Sequence, residues 1–211
     1  TPTTEIYPLS LPDALPIYGY EVNRLPAAAF HLENLIKNHF DRDFYTKSVS
    51  IDEVLNATKS FYEIKVDGVF GGQITYGDCI FIAAIMKAVS PVRMIEIGVA
   101  SGFSSAFILW IAKKFQLLTD TCFLYSFDNC SLSINNAVYG HIVCDHFKQL
   151  MPYWSCNLGK SSLDLLNDSS FANVFNNVET LAFVDGGHAH PWPVVDLLVL
   201  YKVIGRKSWV L

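Results

Sequence analysis

The sequence predicts an α/β fold, a Rossmann-like doubly wound parallel sheet, on three observations. Beyond Pro91, short apolar runs alternate with longer stretches of helical character. The first run closes on Gly98 and Gly102, residue types that let a chain turn sharply from strand into helix. The stretches between runs have the roughly 10–15-residue length of crossover helices, which implies right-handed βαβ units. A length of 211 residues suits one such domain with a small appendage.

Taken in order, residues 1–17 hold four prolines and no amphipathic period. They resemble translated sequencing-adapter DNA from assembled environmental reads, and are expected to be an artefactual or disordered leader. The chain begins at Thr1 and stops at Trp209-Val210-Leu211 within an apolar run, so the expectation is a fragment. Residues 18–70 read as a helical N-terminal extension, with Ala28, Leu32, Leu35 and Ile36 on one face. Ser50-Ile51-Asp52-Glu53 reads as a capping box, Ser50 capping the Glu53 amide and Glu53 reaching back, for a helix to about Ile64. Gly68, Gly71 and Gly72 make a joint before a helix from Asp78 to Val89, which Pro91 ends.

Residues 71–211 form the expected sheet domain. Arg93–Val99 is strand one and Phe103–Phe115 its helix; Cys122–Phe127 is strand two, with a helix around Ala137–Leu150. Trp154–Asn157 is strand three, Thr180–Val184 strand four with a helix from Pro193 to Ile204, and Ser208–Leu211 opens strand five.

Composition narrows the function. A net charge of −5 argues against a sequence-independent nucleic-acid binder. No run approaches the ~18 apolar residues of a membrane span, and the most apolar window, Trp192–Ile204, is broken by Asp196 and Lys202. Five cysteines without a Cys-x-x-Cys pair suggest thiols in a reducing compartment, hence a cytoplasmic protein. Neither nucleic acid nor membrane is an expected partner, and a homo-oligomer is left open.

In doubly wound sheets the ligand site lies outside the carboxyl ends of the strands. Strand one ends in Glu96-Ile97-Gly98-Val99-Ala100-Ser101-Gly102-Phe103-Ser104-Ser105. The helix that follows presents amides and a positive dipole end to a carboxylate or phosphate. The spacing is Gly-x-x-x-Gly, and Ala100 stands where a pyrophosphate-binding glycine would be needed. Strand two ends in Ser126-Phe127-Asp128, strand three leads into Gly159-Lys160-Ser161-Ser162, and strand four into Val184-Asp185-Gly186-Gly187-His188. The last phrase sets two titratable groups beside the crevice. Plainer readings stand beside these: turn glycines at Gly98 and Gly102, helix caps at Asp128, Ser161 and Asp185, a solvated Lys160 and a surface His188. Cys130, His141, Cys144, His146 and Cys156 lack zinc-finger spacing. Phe107 and Trp110 follow core spacing, and His190, before Pro191, reads as structural.

From about Gly71 to Leu211 these phrases, in this order, resemble the class I S-adenosylmethionine-dependent methyltransferases. Asp-Gly-x-His is similar to a subgroup of small-molecule O-methyltransferases that includes sugar- and macrolide-modifying enzymes. The resemblance implies S-adenosylmethionine as cofactor, held by Glu96, Gly98, Ala100, Ser101, Gly102, Phe103 and Ser104. It implies Asp128 on the ribose hydroxyls, a role suited to a carboxylate that accepts from both hydroxyls of a diol. Lys160 and Ser161 would lie by the adenine, and Asp185 would contact the cofactor and bind a divalent cation, magnesium. His188 would be the base for a small-molecule acceptor hydroxyl. The resemblance carried by the strand-end phrases also implies the order 3-2-1-4-5, with strands six and seven missing and strand five an open edge. Further acidic cation ligands are expected after strand five, and residues 18–70 are expected to cover the pocket. Rival readings are an NAD(P)-dependent oxidoreductase, a non-catalytic cofactor-binding or scaffold protein, and a hydroxylase-like member of the same subgroup.

Overall fold

The computed structural model describes residues 49–66, 74–130, 138–187, 189–204 and 208–211, the side chain of Ala172 excepted. Along the chain run α1 (Ile51–Tyr62), α2 (Tyr76–Val89), β1 (Arg93–Ile97), α3 (Phe103–Lys114), β2 (Leu124–Asp128) and α4 (His141–His146). A 3-10 turn over Lys148–Tyr153 leads to β3 (Trp154–Leu158), α5 (Asp164–Asn167), α6 (Ser169–Phe175), β4 (Thr180–Val184), α7 (Trp192–Val203) and β5 (Trp209–Val210). The sheet order is β3-β2-β1-β4-β5 and every pairing is parallel, a Rossmann-like doubly wound arrangement.

Strand alternation divides the core into two layers. Met94, Leu124 and Leu181 point to α1, α2, α3 and α4, where Val54, Ile82, Phe107 and Ile142 are buried. Ile95, Ile97, Phe127 and Ala182 point to α5, α6 and α7, where Leu165, Phe171, Phe175 and Leu200 pack. Phe61 carries α1 into the first layer: its ring centroid lies 5.2 Å from Phe107, 5.3 Å from Phe103 and 5.5 Å, stacked, from Phe147. No helix among the described residues is long and apolar enough to cross a membrane.

Several boundaries differ from expectation for identifiable reasons. Ser50 caps the Glu53 amide at 3.3 Å, but the Glu53 carboxylate accepts from Lys87 on α2 at 2.7 Å instead of reaching back. A reciprocal box does form at Thr75 and Asp78, starting α2 at Tyr76. β1 stops at Ile97 because Gly98 leaves the extended region, at φ +101°. The helix expected around Ala137–Leu150 shortens to α4 among the described residues: Phe147 leaves helical geometry at φ −129° and ψ 39°, and Pro152 lies in the turn beyond. α5 and α6 fill a stretch for which the sequence suggests a cap at Ser161 but no helix with bounds. The expected leader over residues 1–17, the helix through Ala28 and Leu32, and the Gly68–Gly72 joint fall outside the described residues.

Because Phe61 is 1% exposed amid five other aromatic rings, its truncation should leave a cavity in the layer that supports α3. Phe61→Ala is expected to lower the unfolding free energy by about 3–5 kcal/mol in urea titration. A loss under about 1 kcal/mol would mean that α1 is not part of the cooperative core.

Candidate functional site

The turn out of β1 is shaped by the chain's own close approaches. A Cβ on Gly98 would run into the Asp185 carbonyl, and one on Gly102, at φ +84°, would come within 2.8 Å of Gly140 Cα. Both positions therefore need glycine whatever the ligand. The Gly140 amide donates to the Ala100 carbonyl at 2.9 Å and the Ile142 amide to the Ser101 carbonyl at 3.1 Å, tying the turn to α4. On the other side the Asp185 amide donates to the Ile97 carbonyl at 2.8 Å.

Asp128, at the end of β2, closes over this turn. Its Oδ2 accepts from the amides of Val99 at 2.8 Å and Ala100 at 3.1 Å, and its Oδ1 from the amide of Cys130 at 2.9 Å. A carboxylate offers about four lone-pair positions, so one remains for a ligand with these bonds in place. The two loop amides that could have faced a phosphate are already donated.

Glu96 lies on the opposite side of the turn, fully buried. Ser104 donates to its Oε1 at 2.5 Å; Ser105 and Ser126 donate to its Oε2 at 2.6 and 2.5 Å. The Trp154 indole in turn donates to the Ser126 hydroxyl at 2.8 Å. Burial pushes the Glu96 carboxyl up to about 7; the three serine hydroxyls pull it down and the Asp185 charge adds a smaller upward push.

Around the strand ends opens a cleft of about 520 Å³, within the range of small-molecule sites. Of the residues singled out in the sequence, Gly98, Ala100, Ser104, Asp128, Ser161 and Asp185 line it. Glu96, Ser101, Gly102, Phe103 and Lys160 do not. Phe103 turns into the α1 layer, 5.3 Å from Phe61, while Lys160 Nζ sits 4.0 Å from Asp168 and over the Phe171 ring. Ser161 and Asp164 bond to each other, the Ser161 amide donating at 2.7 Å. His188 lies outside the described residues, and no residue of α1 lines the cleft.

Sequence reasoning gave no role to several lining side chains. Tyr139 and Asn129 carry no motif, Trp192 entered only as an edge of the apolar window, and Ser162 stood in the phrase after strand three without a role of its own. Asp196 had a signal, since it interrupts the most apolar window. It is 5% exposed, and its Oδ1 accepts from the Ser162 hydroxyl at 2.5 Å. The Tyr139 phenol is pushed up by burial and then by Cys130 and Asp128, so it stays protonated. The carboxylates of Asp128, Asp185 and Asp196 line the cleft, and no Lys, Arg or His does among the described residues. Among the same residues no group of three or more His, Cys, Asp or Glu could hold a metal ion.

No protein-family model and no curated protein matches the chain. Among solved structures it is similar to the O-methyltransferase TomG from Streptomyces achromogenes, involved in tomaymycin synthesis and solved in complex with SAM. The identity is 11%, over 87% of this chain and 69% of that one, with a TM-score of 0.45.

The raised Glu96 carboxyl makes stability depend on pH. Between the ordinary value of 4.5 and about 7 the folded chain holds a proton that the unfolded chain releases. Stability from this group is complete below about 4.5 and is lost as pH rises through about 7. In urea titrations the difference should amount to roughly 3 kcal/mol, and Glu96→Gln should flatten it. Equal slopes for the two proteins would refute a raised Glu96.

Proposed function

We propose that the chain transfers the methyl group of S-adenosylmethionine to a hydroxyl of a small molecule, such as a sugar or natural product. The observation that carries this reading is the sign of the cleft. Asp128, Asp185 and Asp196 line the cleft and no Lys, Arg or His among the described residues lines it, a lining that suits a ligand bearing a positive centre better than a pyrophosphate. The nicotinamide alternative also loses its phosphate donors, because the Val99 and Ala100 amides are engaged by Asp128.

When bound, S-adenosylmethionine supplies a sulfonium methyl that is already electrophilic. The chain's work is then to align the acceptor oxygen and take its proton, so that proximity and orientation supply most of the rate. In this reading Asp128 accepts from one ribose hydroxyl through its remaining lone pair while holding the turn. Asp185, at the end of β4, lines the acceptor's approach. His188 takes the hydroxyl proton as general base, the work to which an imidazole is suited. Asp185 offers one hard oxygen to a divalent cation. The described donors go no further, so no step is routed through a metal.

Calorimetric titration with S-adenosylhomocysteine should give binding that Asp128→Ala weakens by ~1–3 kcal/mol, while NAD gives none. Binding of NAD in place of S-adenosylhomocysteine would sink the proposal. With a panel of sugar and macrolide acceptors, His188→Ala should cut kcat by about 10²–10⁴ and leave S-adenosylhomocysteine affinity unchanged. Undiminished turnover would remove His188 as the base. A wild-type chain that binds the cofactor and turns over none of the panel would favour a non-catalytic binding protein.

A further inference from the structure

The first turn of α7 overhangs the carboxyl ends of the strands, because a helix in a parallel sheet starts where the strand before it stops. Trp192 opens that turn. It stands four residues before Asp196, so the two share the face that continues through Val199 and Leu200 into the core. Asp196 is 5% exposed on that face, whereas Trp192 is 49% exposed. The sheet has ended at the level of Trp192, and its indole lines the cleft instead. Among the described residues the indole meets no other aromatic ring and makes no hydrogen bond.

A carboxylate as buried as that of Asp196 is costly unless its oxygens are hydrogen-bonded. The Ser162 hydroxyl meets that need at Oδ1, and no described residue donates to Oδ2. This oxygen lies beside the strip Gly186-Gly187. A Cβ on Gly186 would stand 3.7 Å from it, and one on Gly187 would stand 3.6 Å from Trp192 Cβ. The two glycines thus leave open the space between a carboxylate oxygen and an aromatic ring one helical turn apart.

An alkylammonium group satisfies both walls. Its N–H bonds suit the carboxylate oxygen, its charge suits the negative face of the ring, and its carbon skeleton suits the ring's apolar body. A hydroxyl in its place keeps a hydrogen bond and loses the charge, and an anion is repelled. We infer that Trp192 and Asp196 form an ammonium subsite, and that the methyl acceptor is an amine-bearing small molecule whose protonated amine sits there. The inference rests on the methyl-transfer reading. Ser162 is a positioning residue that fixes the carboxylate's rotation. S-adenosylmethionine carries an ammonium of its own, so the two amines are told apart by loading the cofactor product first.

The full chain, saturated with S-adenosylhomocysteine, is titrated calorimetrically with cyclohexylamine and with cyclohexanol, in which a hydroxyl replaces the ammonium. The wild-type chain should prefer the amine by at least about tenfold, the value of one charge-assisted hydrogen bond. Asp196→Asn keeps an oxygen for Ser162 and removes the charge, so the preference should vanish. Trp192→Leu should weaken both compounds, and Trp192→Phe should restore them. Equal wild-type affinities, or binding of neither compound beside intact S-adenosylhomocysteine binding, overturn the inference and leave methyl transfer standing. That comparison needs no variant to fold. An Asp196→Asn chain with the wild-type melting temperature and an undiminished preference overturns it too. So does a Trp192→Leu chain of wild-type melting temperature that no longer binds S-adenosylhomocysteine, since the ring then serves the cofactor's own amine. Preference for the amine in a chain that binds no S-adenosylhomocysteine supports the subsite and removes the methyl-transfer reading. Binding of none of the three overturns both.

Discussion

The strand ends depend on a carboxylate kept out of water. Placing Glu96 in the fourth position of β1, on the face covered by α3, costs several kcal/mol of desolvation. Serines from α3 and β2 offset that cost with three short hydroxyl bonds. These bonds also fix geometry. They hold the first turn of α3 against β1 and β2, and through Ser126 they reach the Trp154 indole at the start of β3. A Leu in that place could bury as much area, yet it would not specify which turn of α3 meets which residue of the sheet.

The connection between β1 and α3 is held from its other side by Asp128. With Glu96 fixing where the helix begins and Asp128 collecting the amides of Val99 and Ala100, little freedom is left between them. The backbone meets this demand with left-handed residues at Gly98, Ala100 and Gly102. At Ala100, φ is +44°, an uncommon state for a residue with a Cβ, and the Asp128 bond to its amide helps to hold it there. The turn is thus tied to β2 through Asp128 and to α4 through Gly140 and Ile142, and it packs against the end of β4 at Asp185.

The sheet was legible in the sequence because its strands are short apolar runs separated by helices of ordinary length. Thr180–Val184 comes out with the expected bounds, and the order β3-β2-β1-β4-β5 is the one that the family resemblance implied. What failed were features set by partners distant in sequence. Glu53 has a lysine 34 residues away that competes better than the backbone amide behind it. α4, α5 and α6 run only six, four and seven residues, too short to show a helical period, and they depend on local caps and tertiary packing. At the site, strand-end positions such as Asp128 and Asp185 could be named from topology. Which lines the cleft and which ties the fold together could not. Glu96 and Asp128 are both acids near the end of adjacent strands and on the same face of the sheet, but Glu96 lies opposite Ser126 under α3 while Asp128 stands at the last position of β2, on the cleft wall. Asp196 could have been found by asking why an otherwise apolar helix carries an acid.

A common feature of the buried and cleft carboxylates is that neutral donors hold them. Glu96 has serine hydroxyls, Asp196 has Ser162, and Asp128 has backbone amides. A Lys or Arg partner would satisfy the same oxygens, but it would cancel the charge as well. Neutral donors leave the charge in place and fix its direction. In the partly desolvated space of the cleft that field acts more strongly on a ligand than it would in water. Like charges then lie near one another, and the Asp185 charge adds a small upward push to the Glu96 carboxyl beside the larger one from burial. A positively charged ligand would relieve it, so ligand affinity and fold stability here draw on the same charges, and binding should be felt as far inside the sheet as Glu96.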